Sequence, residues 1–249
     1  MPSYLITGSS RGIGLALVTE LLKDSGNVVL ATARNPAASK GLQELASKYP
    51  SRQLVLMQLD TTVPEQISNA AKEAARLLPD GLDYLINNAA INEQALTPFD
   101  ELNVEQFSEE VKFHTAPIIH ILREFKPLVA KSREKKVVFI SSIGASLTNA
   151  PLNAAITYPY SVGKAAQNMI ARKWGTVNKE QGIITVLIHP GWVDTDMGGI
   201  VNDFSDFNAP DVKPLTPAES AAGILKVAHE AKLEDAVSFL WYDGRVLEW

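Results

Sequence analysis

Among its 249 residues the chain has no cysteine. That excludes disulfides, thiolate metal sites and cysteine nucleophiles, and leaves catalysis to oxygen, nitrogen or a bound cofactor. Long apolar runs are also missing. None reaches the roughly 18 residues a membrane span requires, and Tyr4-Leu5-Ile6 opens a strand-like run without the charged and apolar regions of a secretory signal. A soluble, cytoplasmic protein with no membrane contact is expected. There is no basic excess: 23 Lys and Arg, scattered along the chain, stand against 28 Asp and Glu, for a net charge of -5. This argues against nucleic acid as a partner and in favour of small molecules. His120, His189 and His229 have no metal-ligand spacing, so no metal is expected and these histidines read as structural. No repeat, low-complexity tract or linker divides the chain. Its 46% hydrophobic content fills a sizeable core, and one domain over residues 1–249 is the simplest reading.

What is present alternates between two periods. Short β-branched runs at Tyr4–Thr7, Asn27–Ala33, Gln53–Gln58, Leu82–Ile86, Lys136–Ser141, Ile183–Ile188 and Val237–Leu240 read as strands. Helical stretches lie between them at Ile13–Lys23, Leu42–Lys48, Pro64–Leu77, Val104–Ala130, Tyr160–Glu180 and Pro217–Ala231. Thr216 with Pro217 and Glu219, and Thr62 with Pro64 and Glu65, read as helix starts. The alternation predicts an α/β fold: a Rossmann-type, doubly wound sheet of about seven mainly parallel strands, with helices on both faces. Two irregular segments, 144–157 and 197–215, read as substrate loops, the second carrying Phe204, Phe207 and Pro210.

Directly after the first strand comes Thr7-Gly8-Ser9-Ser10-Arg11-Gly12-Ile13-Gly14. A glycine turn between strand and helix lets backbone N–H groups meet a pyrophosphate at a helix N-terminus, although G-x-x-x-G-x-G only approximates the commoner spacing. An acidic residue at the end of the second strand would hold free ribose hydroxyls. Here none occurs between Asp24 and Glu44, and the strand ends in Arg34. A guanidinium there, with Arg11 as a second cation, suits a 2′-phosphate, so the expected cofactor is NADP(H).

Further on stand Asn87-Asn88-Ala89-Ala90, Ser141-Ser142, Tyr160-Ser161-Val162-Gly163-Lys164 and His189-Pro190-Gly191-Trp192-Val193-Asp194-Thr195. Tyr160 and Lys164 share one helix face on successive turns. An ammonium there favours the phenolate of Tyr160, and Ser142 can donate to a substrate carbonyl oxygen. Tyr158 has Val162, not lysine, four residues on, and reads as lining the substrate side.

In content and order these segments resemble the short-chain dehydrogenase/reductase family from Ser3 to the last strand. Within it the chain is similar to the branch of carbonyl reductases and ketoreductases that includes C-factor and sniffer-type enzymes and fungal polyketide ketoreductases. The resemblance implies reduction of a ketone or aldehyde, with Tyr160 as proton donor. It implies that Lys164 lowers the tyrosine pKa and binds the nicotinamide ribose, and that Ser142 orients the carbonyl. Gly8, Ser10, Arg11, Gly12, Ile13, Gly14 and Arg34 would face the pyrophosphate and adenosine. By the same carry-over Asp60 contacts adenine, Asn87 supports the central strand and the ribose, Ala89 lies near the cofactor, and Pro190, Gly191, Val193 and Thr195 contact the carboxamide. Homodimer, homotetramer and monomer stay open.

There are departures from that pattern. Ala90 replaces a family glycine. His114 stands where many members have a helix-kinking asparagine that holds a relay water, and imidazole serves either as relay or as structure. The segment between Ser142 and Tyr160 is longer than in many members and contains Pro151 and Pro159. A catalytically silent NADP(H)-binding regulator is the alternative function. A sugar-nucleotide epimerase or dehydratase fits poorly, since such chains are generally longer.

Overall fold

The computed structural model describes residues 1–201 and 213–249. Seven strands, β1 (Ser3–Ile6), β2 (Val28–Ala33), β3 (Leu54–Gln58), β4 (Tyr84–Asn87), β5 (Lys136–Ile140), β6 (Ile184–His189) and β7 (Ser238–Trp241), form one sheet in the order β3-β2-β1-β4-β5-β6-β7. Every pairing is parallel. Between them run α1 (Gly12–Leu21), α2 (Lys40–Lys48), α3 (Pro64–Leu77), α4 (Val104–Phe113), α5 (Ala116–Lys131), α6 (Tyr158–Asn178) and α7 (Pro217–Glu230).

Strands buried on both faces need apolar residues at odd and even positions alike, and β1 shows the result. Leu5 joins a core with α3, α5 and α6, while Tyr4 and Ile6 join one with α1, α2 and α7. Ile6 pairs with Ala31 on one side and Ile86 on the other. The chain order reverses between β1 and β4, opening the crevice beyond the carboxyl ends of the strands where such sheets bind ligands.

The expected helix from Val104 to Ala130 is two helices, broken at His114 and Thr115. Pro117 has no N–H to offer the Phe113 carbonyl, and the Thr115 hydroxyl donates back to Val111 O at 2.9 Å and Lys112 O at 3.2 Å. The turn therefore closes before α5 begins. Thr62 does not cap α3. Its N–H and hydroxyl donate to Asp60 Oδ1 at 2.9 and 2.7 Å, and Val63 holds the cap position. Thr216 does form the expected capping box with Glu219. Helix α6 begins two residues before Tyr160, so Pro159 sits in its first turn, where a missing N–H costs nothing.

Candidate active site

Gly8 and Gly12 both have positive φ, at 70° and 54°. A side chain on Gly14 would overlap the Gly8 carbonyl oxygen, 2.3 Å from its Cβ position, so α1 starts hard against the turn. Ser9 ties this turn to the sheet: its N–H donates to Thr32 O at 2.8 Å and its hydroxyl to Ile6 O at 2.9 Å. Beside it lies a groove of about 490 Å³ whose lining includes Ser10, Arg11, Arg34, Ser39 and Lys40. Ser39 caps α2 and donates to Ser10 O at 2.9 Å. Lys40 and Ser39 went unnoticed in the sequence, although a second helix N-terminus soon after Arg34 was the available signal. Among the described residues Arg34 and Lys40 form no ion pair, so two cations and backbone N–H groups remain for an anion. Arg11 behaves differently. It lines the groove, but its Nη1 is 2.9 Å from Asp196 Oδ2 in an exposed pair that reaches across to the segment after β6.

Asp60 follows β3, and its Oδ1 is occupied by Thr62, as above. The role expected of Asn87 in tying the central strands falls to Asn88. Its Nδ2 donates to Thr7 O at 2.9 Å and Gly8 O at 3.1 Å, while its N–H and that of Ala89 meet Thr7 Oγ1. Strand alternation is the reason: Asn87 follows Leu85 onto the α3–α5 face, where its amide, buried, has no partner on either polar atom among the described residues. On the far wall Pro190 O accepts from Ser220 at 2.7 Å. Gly191 has φ of 84°, and a side chain on it would strike Leu215, 2.6 Å away. Val193 is buried and pairs with Leu215. The Thr195 methyl lies 3.4 Å from a Cβ placed on Gly12, so this wall meets the glycine turn. Trp192 Nε1 donates to Gly198 O at 3.1 Å. Phe204, Phe207 and Pro210 lie outside the described residues. Trp249 packs on Phe239 and Arg172, and its carbonyl receives Thr148 of the first loop, so it braces that loop from the core side.

Ser142, Tyr160 and Lys164 gather where β5 ends and α6 begins. Lys164 is 1% exposed, and its Nζ donates to Ile140 O at 2.8 Å and to Gln167 Oε1 at 3.3 Å. Burial pushes its pKa down to about 7. The same Nζ is 5.8 Å from the Tyr160 ring centre. Burial pushes the Tyr160 phenol up to about 12; a hydrogen bond with Ser142 works against this and the Glu110 carboxylate adds to it. Ser142 Oγ accepts from Gly144 N–H at 3.1 Å. Ser141 donates to Asn168 Oδ1 at 2.6 Å, fixing α6 to the end of β5. Tyr158 instead meets Phe99 edge-on, 5.4 Å between ring centres.

His114, at the break between α4 and α5, stands edge-on to Tyr160 at 5.4 Å. Burial, and then the charge of Lys164, lower its pKa to about 3. It is therefore neutral, and Nε2, 3.0 Å from Ile91 O, is the donor, which leaves Nδ1 buried and without a partner among the described residues. The ring rests on Gly163: a Cβ there would lie 2.9 Å from His114 Cδ2. One turn earlier on the same face is Glu110, 1% exposed. It accepts from Glu93 N–H at 3.0 Å, and burial raises its pKa. No motif in the sequence marks Glu110. Its i, i+4 relation to His114 was the one signal that could have found it.

Comparison with known proteins gives the family and the fold. A family model described as short chain dehydrogenase matches residues 3–205. An uncharacterized oxidoreductase of Schizosaccharomyces pombe is 32% identical over 251 residues, covering 98% of this chain and 96% of its own. Among solved structures, the NADPH-bound carbonyl reductase from chicken fatty liver is 34% identical with a TM-score of 0.88, covering 100% of this chain and 99% of that one. Carbonyl reductase Sniffer of D. melanogaster is 26% identical with a TM-score of 0.89 and full coverage of both chains.

Proposed function

The chain belongs to the short-chain dehydrogenase/reductase family of oxidoreductases, and from that premise we propose that it is an NADPH-dependent carbonyl reductase acting on a ketone or aldehyde. The observation that carries this reading is the convergence of Ser142, Tyr160 and Lys164 where β5 ends and α6 begins, in a fold whose glycine turn borders a separate groove holding Arg34 and Lys40, unpaired among the described residues. NADP(H) fits the residues present: positive-φ glycines bring the backbone N–H groups close, and Arg34, Lys40 and the N-terminus of α2 suit a 2′-phosphate. When bound, that cofactor supplies the hydride.

The chain's own groups supply the rest. Ser142 donates to the carbonyl oxygen, orienting it and stabilising the negative charge that develops there. A phenol held near 12 is fully protonated at neutral pH, so Tyr160 is ready to give its proton to that oxygen. Lys164, charged or neutral within a small change of pH, then offsets the resulting phenolate. Proton transfer needs only the hydroxyl, and the Tyr160 ring is already fixed by His114.

The test is oxidation of NADPH and NADH by the purified protein with a panel of aldehydes, ketones, diketones and quinones. Turnover with NADPH, and little with NADH, is expected. Preference for NADH would remove the phosphate assignment. Tight NADPH binding without turnover on any carbonyl would favour a regulator instead.

A further inference from the structure

β5 and β6 run in register as far as Ile140 and Ile188, and Ser141 N–H adds one more rung by donating to Ile188 O at 2.8 Å. In a continuing parallel ladder the next donor, Ile143 N–H, would meet the carbonyl of Pro190. That carbonyl is taken by Ser220, and Ile143 N–H donates instead to Nδ1 of His189 at 3.2 Å. The imidazole thus replaces a main-chain acceptor where the two strands part. Ser142 is the residue between the last rung and this substitute, with extended backbone at φ -152°, ψ 150°.

His189 is 7% exposed, and its ring stands edge-on to Trp241, its register partner on β7, at 4.7 Å. Burial pushes its pKa down to about 3, so the ring is neutral through the working pH range. Because Nδ1 accepts, its proton sits on Nε2. A charged ring would lose the acceptor that Ile143 needs.

We propose that His189 is a positioning residue for Ser142: by holding the peptide that follows the serine, it aims the hydroxyl at the carbonyl oxygen. This rests on the role given to Ser142 above. Small displacements of an orienting group are costly, so His189→Phe, which keeps the ring and removes the acceptor, is expected to lower kcat about 10- to 100-fold. NADPH affinity should hold, because the ring touches none of the phosphate groove. His189→Asn restores an acceptor near the Nδ1 position and should recover most of kcat.

The donor can be removed independently. Ile143→Pro deletes the N–H, at the first position of a helical turn, where proline is accepted, and after a residue already extended; it also removes a side chain that packs on the core, a loss that Ile143→Ala measures by itself. The two losses should coincide, the double variant being no slower than either single one. Losses that multiply, or wild-type kcat in His189→Phe, would overturn the proposal. Amide hydrogen exchange of Ile143 gives a readout that needs no turnover. It should be slow in the wild type and His189→Asn and fast in His189→Phe, and equal rates in all three would also refute it. If no carbonyl is reduced by the wild type, the reductase reading fails while exchange still decides whether His189 holds this peptide.

Discussion

Two tyrosine–lysine pairs sit at opposite ends of the sheet, and only one belongs to the proposed active site. At the carboxyl end Lys164 stands 5.8 Å from the Tyr160 ring centre; at the amino end Lys136 stands 5.4 Å from that of Tyr84. Both lysines are almost fully buried, and burial lowers the pKa of each. The difference lies in what surrounds them. Lys136 donates to Ala228 O at 3.0 Å and His229 O at 2.6 Å, closing the carboxyl end of α7. Tyr84 is stacked on Tyr4 at 4.6 Å, and burial together with neighbouring acids raises both phenols. Lys164 holds one carbonyl and a glutamine, beside a half-buried tyrosine that is hydrogen-bonded to a serine. The pair alone is therefore no signature of chemistry. Access and a third polar group decide.

The sharpest way to break this comparison is to remove each hydroxyl. Tyr160→Phe should reduce turnover by roughly 10²–10⁴-fold with NADPH binding intact, as expected for loss of a general acid. Tyr84→Phe should leave kcat unchanged. Equal losses would show that the two ends are not distinct in function. Next, Arg34→Ala should weaken NADPH by about 10- to 100-fold, from the loss of a charge-assisted hydrogen bond worth about 1.5–3 kcal/mol, while NADH is little affected. Fluorescence titration with both nucleotides measures this.

Lys136→Met should do the reverse of the site variants. It leaves two helix-end carbonyls without their donor, so stability should fall by about 1–3 kcal/mol in urea unfolding while kcat stays at its wild-type value. Protons sharpen the same point. Each lysine has a lower pKa folded than unfolded, so between those values the unfolded chain binds more protons and stability rises with pH. For Lys164 that window opens near pH 7. The urea midpoint should climb from pH 7 to 9, and substitution of Lys164 by methionine should flatten the climb. The smallest effect concerns Arg11. Asp196→Asn frees its guanidinium for the groove, and an exposed pair of this kind is worth about 0.2–1 kcal/mol, so NADPH should bind less than about fivefold tighter, with the gain shrinking in high salt.

The seven strands were legible because burial on both faces leaves a continuous apolar run, a signal that survives without knowledge of neighbours. The glycine turn and the Tyr160–Lys164 pair show in the sequence because their spacing is local, and Ser142 because it follows a strand-like run. The break at His114 was not, since apolar periodicity continues across it from α4 into α5 and only the missing N–H of Pro117 marks the end. Asn88 was passed over for Asn87 because which of two adjacent asparagines leaves the sheet depends on strand alternation, and alternation shows only once β4 has its boundary. Lys136 with Tyr84, and His189 with Ile143, are contacts between distant segments. No periodicity announces them.

The seat of His114 on Gly163 carries a consequence for heredity and for engineering. With less than 3 Å between the imidazole and any methyl placed at position 163, the two positions behave as one character. A lineage can exchange this histidine for a smaller residue and then admit a side chain at 163, but the opposite order passes through a displaced ring beside Tyr160. Variant libraries that fix one position and randomise the other will sample mostly failures. Libraries that vary both together can re-cut the support behind the tyrosine while leaving the tyrosine itself alone.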